Sequence, residues 1–349
     1  MTKRTRRFIT ACTAGLLFLA VLAPLPALTI KLGSLAPEGS PWDSALKKLA
    51  VEWNRISRGQ ITLKIFPGGI AGDEPDMVRK IRINQLQAAA ITGIGLQQIA
   101  NDILTIQLPL LIRTDGEFAY VLEKMQPTFN TLLEEKGFTP LAWSLAGWAT
   151  FFAQEPVVWP EDLMKQKLQV DDASPEMTQA WKKMGFHVVP LPSTSVMSAL
   201  QSGMVEAFTL TPLTAAAMQW FALAPNMAGL RWAPMVGGII VSNRTWQRVP
   251  ADLKPELLDA IQVVLADLDQ ESRALEDRAL EVMLDNGLQV HPLPPEAEAE
   301  WRRVVETGFS LIIGKSFSEA VYDEIRAHLG EYRRNAASSP EGDNDSGAR

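Results

Sequence analysis

Two strand-like segments on either side of a helical one are the feature that most constrains the fold. Apolar and polar residues alternate in LTIKLGS, residues 28–34, and in ITLKIF, residues 61–66, as they do in half-buried strands. Between them, apolar residues such as Leu46 and Trp53 recur at helical spacing, which predicts a helix over about residues 43–57. A strand–helix–strand order favours parallel strands covered by helices, so the chain is predicted to be an α/β protein.

The same pattern returns in the second half of the chain. Strands are predicted in KLQV, HVVPLP and EAFTLTP, and helices over residues 175–184 and 196–202. GGIIVSN predicts another buried strand, and apolar residues on one face predict a long helix over residues 251–286. A helix longer than about 25 residues is unusual within one small domain. Because 349 residues are enough for two hydrophobic cores, this helix is predicted to brace two domains.

The two ends of the chain are predicted to lie outside the folded domains. Residues 1–27 combine four basic residues, an apolar run and a small residue, Ala27, which is typical of a signal peptide cleaved near that position. The mature protein is therefore predicted to be periplasmic. A twin-arginine signal at TRRFI and a lipoprotein box at Cys12 are less favoured, because Cys12 precedes the apolar run. Residues 335–349 lack large apolar side chains, which predicts a disordered tail.

The charge of the chain argues against polyanionic partners. Residues 1–27 hold four of the 33 Lys and Arg residues and none of the 40 Asp and Glu residues, so 29 basic and 40 acidic residues remain and the formal charge becomes −11. An acidic protein is a poor ligand for nucleic acid or an anionic membrane surface. We therefore predict no nucleic-acid partner.

A glycine-rich stretch, KIFPGGIAGDE at residues 64–74, raises the possibility of a phosphate loop. Phosphate loops lead into Lys and Ser or Thr, whereas this one leads into Asp73, Glu74 and Asp76, whose charges repel an anion. The stretch is better explained as a turn in which Asp73 caps a following helix that ends at Asn84.

Residues for catalysis or metal binding are not grouped in the sequence. His187, His291 and His328 stand far apart, and no nucleophile elbow, zinc-protease motif or dinucleotide fingerprint occurs. The only cysteine is Cys12, inside the predicted signal. We therefore predict no metal, no cofactor and no enzymatic activity. An exported hydrolase using Ser193 or Asp171 remains the alternative from a different functional class.

Several segments, in order, resemble the solute-binding subunits of tripartite ATP-independent periplasmic (TRAP) transporters, the DctP-type family. The resemblance covers about residues 28–328 and is carried by IKLGSLAPEGSPW, ITLKIFPGGIAGDEPDMV, IQLPLLIRTDGEF, VVWPEDLMKQKLQV, VVPLPSTSVMSALQSGMVEA and SNRTWQRVP. It implies a periplasmic-binding-protein-like α/β fold whose two lobes, joined by crossing strands and a long helix, close on a small-molecule ligand.

The resemblance also implies a domain division and partners. Lobe I would comprise residues 28–150 and 237–280, and lobe II residues 151–236 and 281–334. The protein would deliver its ligand to membrane permease subunits driven by an ion gradient. Some family branches work with a helical-repeat accessory protein, which is a possible further partner. In this family the FPGG…GDE segment is expected to be a turn and helix start away from the ligand.

Departures from the family pattern fall where ligand contacts are expected. Members usually carry an arginine that pairs with a solute carboxylate at the position that is Gln169 here, and a second arginine at the position of Ala149. A neutral amide lacks the charge of a guanidinium fork. The family motifs SEVY and VDG are replaced by TSVM and VEAF, and the asparagine just beyond falls near Leu210 or Thr211.

These exchanges remove charge, so the ligand is predicted to be apolar or amphipathic. The predicted ligand-binding residues are Leu35, Thr92, Trp148, Ala149, Gln169, Ser193, Ser195, Phe208, Leu210 and Thr211. Two alternatives remain open. The protein binds an organic acid through a relocated arginine, Arg113 or Arg231, or it is a non-transport interaction module.

Overall fold

The computed structural model describes residues 27–172 and 175–338. Its strands are β1 Leu28–Ser34, β2 Ile61–Phe66, β3 Ala88–Thr92, β4 Phe138–Ala153, β5 Leu168–Val170, β6 Val188–Pro190, β7 Ala207–Leu210, β8 Asn226–Gly229, β9 Ala233–Ser242 and β10 Gln289–Pro292. The α-helices are α1 Pro41–Ile56, α2 Glu74–Arg82, α3 Gly93–Gln97, α4 Asp115–Glu134, α5 Pro160–Met164, α6 Pro175–Lys183, α7 Val196–Gln201, α8 Pro212–Ala217, α9 Asn243–Gln247, α10 Lys254–Asp285, α11 Pro295–Ile312 and α12 Glu319–Ser338. Short 3₁₀ helices lie at Asn101–Gln107, Ser193–Ser195 and Trp220–Ala222.

The long strand β4 joins two sheet regions. Strand order is β2-β1-β3-β9-β4-β7-β5-β6. The N-terminal part of β4 pairs antiparallel with β9, and its last residues, from Thr150 to Ala153, pair antiparallel with β7. On either side, β1 runs parallel to β2 and β3, and β5 runs parallel to β6 and β7. The molecule is thus a two-lobe α/β protein whose lobes share a strand.

The long helix α10 packs on cores in both lobes. Leu257 and Ile261 are fully buried in a core with α1, β1 and β2, and the Trp53 indole donates a hydrogen bond to the Leu257 carbonyl at 3.0 Å. Near its other end, Met283 is fully buried in a core with Phe152. The predicted bracing role of this helix is therefore confirmed, over 32 residues.

The glycine-rich stretch is a turn and a helix start, as predicted. Asp73 is the N-cap of α2, and its side chain accepts a hydrogen bond from the backbone N–H of Glu74. Asn84 has a φ of 63°, the left-handed conformation expected just beyond the helix.

Several predicted boundaries need correction or lie outside the described residues. Helix α12 continues to Ser338, so residues 335–338 are helical where a disordered tail was predicted. The rest of that tail, and the predicted signal up to residue 26, lie outside the described residues. No helix in the part of the chain that the structure describes combines the length and hydrophobicity needed to cross a bilayer.

Candidate functional site

A cavity of about 450 Å³ opens at the carboxyl ends of strands from both lobes. Its lining includes Ser34 at the end of β1, Thr92 at the end of β3, Val170 at the end of β5 and Leu210 at the end of β7. Ligands of open α/β sheets bind at this edge, where strand ends leave a crevice. The volume falls within the range of small-molecule sites.

Most of the predicted ligand-binding residues line this cavity. Seven of the ten predicted residues belong to its lining: Leu35, Thr92, Ala149, Gln169, Ser193, Leu210 and Thr211. Gln169 and Ala149, the positions at which the family resemblance implies arginines, thus line the space in which a ligand would sit.

Trp148 and Phe208 are packed elsewhere, contrary to the prediction. The Trp148 indole donates a hydrogen bond to Asp115 Oδ1 at 2.6 Å. Phe208 is fully buried, and its ring stacks on that of Phe152 with centroids 5.1 Å apart. Because Phe152 and Phe208 are register partners on β4 and β7, they stack on one face of the sheet and form core.

Ser195 is the third predicted contact that the structure places away from the lining. It ends the 3₁₀ helix that leads into α7, and its backbone carbonyl accepts a hydrogen bond from Ser198 Oγ at 2.9 Å. Ser193, at the start of the same turn, lines the cavity instead.

The two alternative arginines do not reach the cavity. Arg231 forms an ion pair with Asp115 at 3.7 Å, and its guanidinium lies 5.4 Å from the centroid of the Trp148 ring. Burial, together with the nearby Arg302 and Arg333, lowers the pKa of Arg113. Neither side chain belongs to the lining, so the relocated clamp finds no support in this geometry.

The charged groups of the lining are acidic. Among the described residues, Glu74 and Asp171 are the ionisable members of the lining, both are acidic, and no lysine or arginine belongs to it. The field inside this cavity therefore disfavours a carboxylate, which would be desolvated beside like charges.

Glu74 is buried beneath the polar end of the cavity, and residues at the start of α3 hold its side chain by hydrogen bonds. Its carboxylate accepts hydrogen bonds from the backbone N–H and hydroxyl of Thr92 at 3.0 Å and from the N–H of Gly95 at 2.7 Å. Burial raises the pKa of Glu74 to about 7, although these hydrogen bonds oppose the shift. The expectation that the glycine-rich segment ends away from the ligand was wrong for this residue, because Glu74 lines the cavity.

The other end of the cavity is apolar and extends between helices α1 and α10. It is lined by Trp42, Ala45, Leu46, Leu49, Ile261, Val264, Leu265 and Leu268. The sequence placed Ile261, Leu265 and Leu268 on one apolar face of a helix, but periodicity does not distinguish a face that packs on core from one that borders a cavity.

The two lobes touch at the mouth of the cavity. The Asp73 carboxylate accepts a hydrogen bond from the backbone N–H of Ser193, in addition to its capping bond in α2. Burial raises the pKa of Asp73, and the neighbouring Asp172 and Asp76 raise it further. The glycine-rich stretch therefore contributes a contact to the turn that carries Ser193.

The cavity brings two candidate catalytic residues together without a histidine. Ser193 and Asp171 line it, but none of the three histidines, all in described ranges, does. In those ranges, no group of three or more His, Cys, Asp or Glu side chains is arranged to hold a metal ion.

Comparisons with known proteins identify the family. The model of bacterial extracellular solute-binding protein family 7, DctP, matches residues 32–310. The chain belongs to this family. DctP proteins are periplasmic substrate-binding components of TRAP transporters, with membrane permeases as partners, and are not enzymes.

Individual DctP relatives are distant in sequence. The chain is 22% identical over 324 residues to the C4-dicarboxylate-binding periplasmic protein DctP of Rhodobacter capsulatus, covering 87% of this chain and 92% of that protein. It is 26% identical over 197 residues to a solute-binding protein of Roseobacter denitrificans, covering 56% of this chain and 59% of the relative's length.

A solved structure shares the DctP fold. The TRAP periplasmic solute-binding protein of Xanthobacter autotrophicus with bound β-D-galacturonate superposes with a TM-score of 0.80 at 19% identity, covering 86% of this chain and 99% of that one. This likeness agrees with the two-lobe arrangement.

Proposed function

We propose that this protein is the periplasmic solute-binding subunit of a TRAP transporter and captures an apolar or amphipathic small molecule between its lobes. It delivers this ligand to an ion-gradient-driven permease. The observation that carries the proposal is a cavity of about 450 Å³ whose described lining contains two carboxylates and no lysine or arginine.

The chemistry of the lining favours a ligand that differs from the organic acids named for relatives. The Rhodobacter capsulatus protein is named for C4-dicarboxylates, and the Xanthobacter autotrophicus structure holds galacturonate. A carboxylate buried without an ionic partner costs several kcal/mol, about enough to remove a micromolar affinity. Gln169 and Ala149 supply no charge, so a small organic acid is a poor ligand here.

The apolar end of the cavity supplies the favourable free energy. Each Å² of apolar surface removed from water contributes roughly 25 cal/mol. The side chains of α1 and α10 that border the cavity are hydrocarbon or indole, including Trp42, Leu49 and Leu265. A ligand with an alkyl or other apolar part gains most from this lining.

Export and lobe closure complete the proposal. We infer from the sequence that cleavage near Ala27 releases the mature protein, and the family resemblance supports a domain division at residues 150, 236 and 280. Ligand contacts made only in the closed form bias an equilibrium between open and closed lobes. The helical-repeat accessory protein stays a prediction that neither the fold nor the comparisons test.

Calorimetry on refolded, ligand-free protein tests the proposal. We expect 1-monodecanoylglycerol, a neutral amphiphile used below its critical micelle concentration, to bind at micromolar concentration and to raise the melting temperature. Succinate, malate and sialic acid should not bind at that concentration, because the cavity gives their carboxylates no cationic partner.

Arginine variants test the result that would contradict the proposed ligand class. Micromolar binding of succinate that disappears in Arg231→Ala or Arg113→Ala would show that a relocated clamp holds an organic acid. The exposed Arg58 provides a matched control, since Arg58→Ala removes a guanidinium remote from the cavity lining.

A further inference from the structure

We propose that the ligand is a single-chain amphiphile with a cationic amine or ammonium head, which lies near Asp171, and a tail that lies between α1 and α10. This inference rests on the proposed function and specifies the head group that the same cavity selects. It follows from the charges, the hydrogen-bonding groups and the aromatic rings of the lining.

The charges of the lining favour a cation. Asp171 follows directly after β5, at the carboxyl end of the strand that carries Gln169, and lines the cavity with it. Glu74, on the lobe I side, adds negative charge only in the molecules in which it is ionised, because burial raises its pKa to about 7. With no lysine or arginine among the described lining residues, the summed field attracts a positive head and repels a carboxylate.

Hydrogen bonds within the protein leave acceptors facing the ligand. The Thr92 hydroxyl donates to Glu74 Oε2 at 3.0 Å and its oxygen accepts from the backbone N–H of Ile94 at 3.4 Å, so what remains is one acceptor position and no proton. Gln169 Nε2 donates to the Leu191 carbonyl at 3.0 Å, which uses one amide proton and leaves Oε1 as an acceptor. An ammonium group, which only donates, complements both oxygens.

Indole rings in the same lining suit a cation as well. Trp181 and Trp232 stack with centroids 5.5 Å apart, and both border the cavity. Trp42 and Trp220 also border it. The face of an indole attracts ammonium groups, and quaternary ammonium ligands are commonly recognised in this way.

The apolar end determines the shape of the rest of the ligand. The cavity continues from the polar residues at the strand ends into the space bordered by the partly exposed side chains of Trp42, Ala45 and Leu265. A compact cation leaves that space without an apolar partner, whereas an amphiphile with one chain fills it while its head stays at Asp171.

A head-group series on the wild-type protein tests the inference. The probes are decylammonium, whose N–H groups can donate hydrogen bonds, 1-monodecanoylglycerol and decanoate, all below their critical micelle concentrations and titrated by calorimetry into ligand-free protein. We expect one-to-one binding in which the cation binds at least tenfold tighter than the neutral glyceride and decanoate binds weakest.

Two neighbouring aspartates provide matched variants. Asp171→Asn should reduce the preference for the cation over the glyceride to about that of an uncharged site. Asp172→Asn, at an exposed adjacent position, should keep the preference. The wild-type series decides the inference even where a variant fails to fold.

The outcomes separate the two proposals. A glyceride that binds as tightly as the cation, or a preference that survives Asp171→Asn, overturns the cationic head and leaves the proposed function standing. If neither the glyceride nor the cationic amphiphile binds and succinate does bind, the proposed function is overturned as well. Binding without one-to-one stoichiometry counts against the cavity as the site of the head group.

Discussion

Ala45→Phe is expected to weaken binding of 1-monodecanoylglycerol by about 100-fold. Ala45 lies on α1 and lines the apolar end of the cavity. A phenyl ring there occupies space that the alkyl chain needs and displaces about four methylene groups. Each buried methylene contributes about 0.8 kcal/mol, so the loss is about 3 kcal/mol, or roughly 100-fold or more in affinity.

The measurement is the dissociation constant from calorimetry, with Val51→Phe as the matched control. Val51 lies on the same helix but is 65% exposed, so a ring at that position stays in solvent. Ala45→Phe fills a cavity rather than a packed core, so its melting temperature should not fall. Equal affinity in the wild-type and Ala45→Phe proteins would show that the chain does not lie between α1 and α10.

Raising the pH from 4.5 to 7 is expected to remove about 3 kcal/mol of folding stability through Glu74. Burial raises the pKa of this carboxyl from its ordinary value of 4.5 to about 7. The folded state therefore holds a proton that the unfolded state releases in this window. The resulting stability is fully present below pH 4.5 and is lost as the pH rises through about 7, because each unit of pKa difference corresponds to about 1.4 kcal/mol.

Denaturant unfolding of wild-type and Glu74→Gln proteins over this pH range measures the contribution. The variant cannot titrate at position 74, so its unfolding free energy should lack this fall. Glu38→Gln serves as the control because Glu38 is exposed and outside the cavity lining, and it should keep the wild-type pH dependence. Parallel wild-type and Glu74→Gln curves would show that the carboxyl titrates near its ordinary value.

Periodic patterns in the sequence predicted much of the fold. The spacing of Leu257 and Ile261 placed them on the buried face of a long helix, and the Asp73 cap followed from local chemistry. The 16-residue strand β4 was not among the predicted strands, because Pro140 and Gly147 interrupt its local pattern. Its continuity depends on pairing with β9, which is distant in sequence.

The site was predictable only where family motifs mark individual positions. Gln169 and Ala149 were predicted because the family resemblance implies arginines at these positions, and both line the cavity. Glu74 was missed because the residues that hold its carboxylate, Thr92 and Gly95, follow 18 and 21 positions later, so local chemistry shows only a helix start. Phe208 was misplaced because its packing on Phe152 is a tertiary contact.

Mass spectrometry of small molecules that copurify with the mature protein is the most direct test of the proposed ligand class. Protein purified without denaturation and then extracted with organic solvent should release, in one-to-one amount, a molecule that has an apolar chain and no carboxylate. The acidic lining, without lysine or arginine among the described residues, predicts this result. Stoichiometric recovery of a small dicarboxylate or a sugar acid would contradict it.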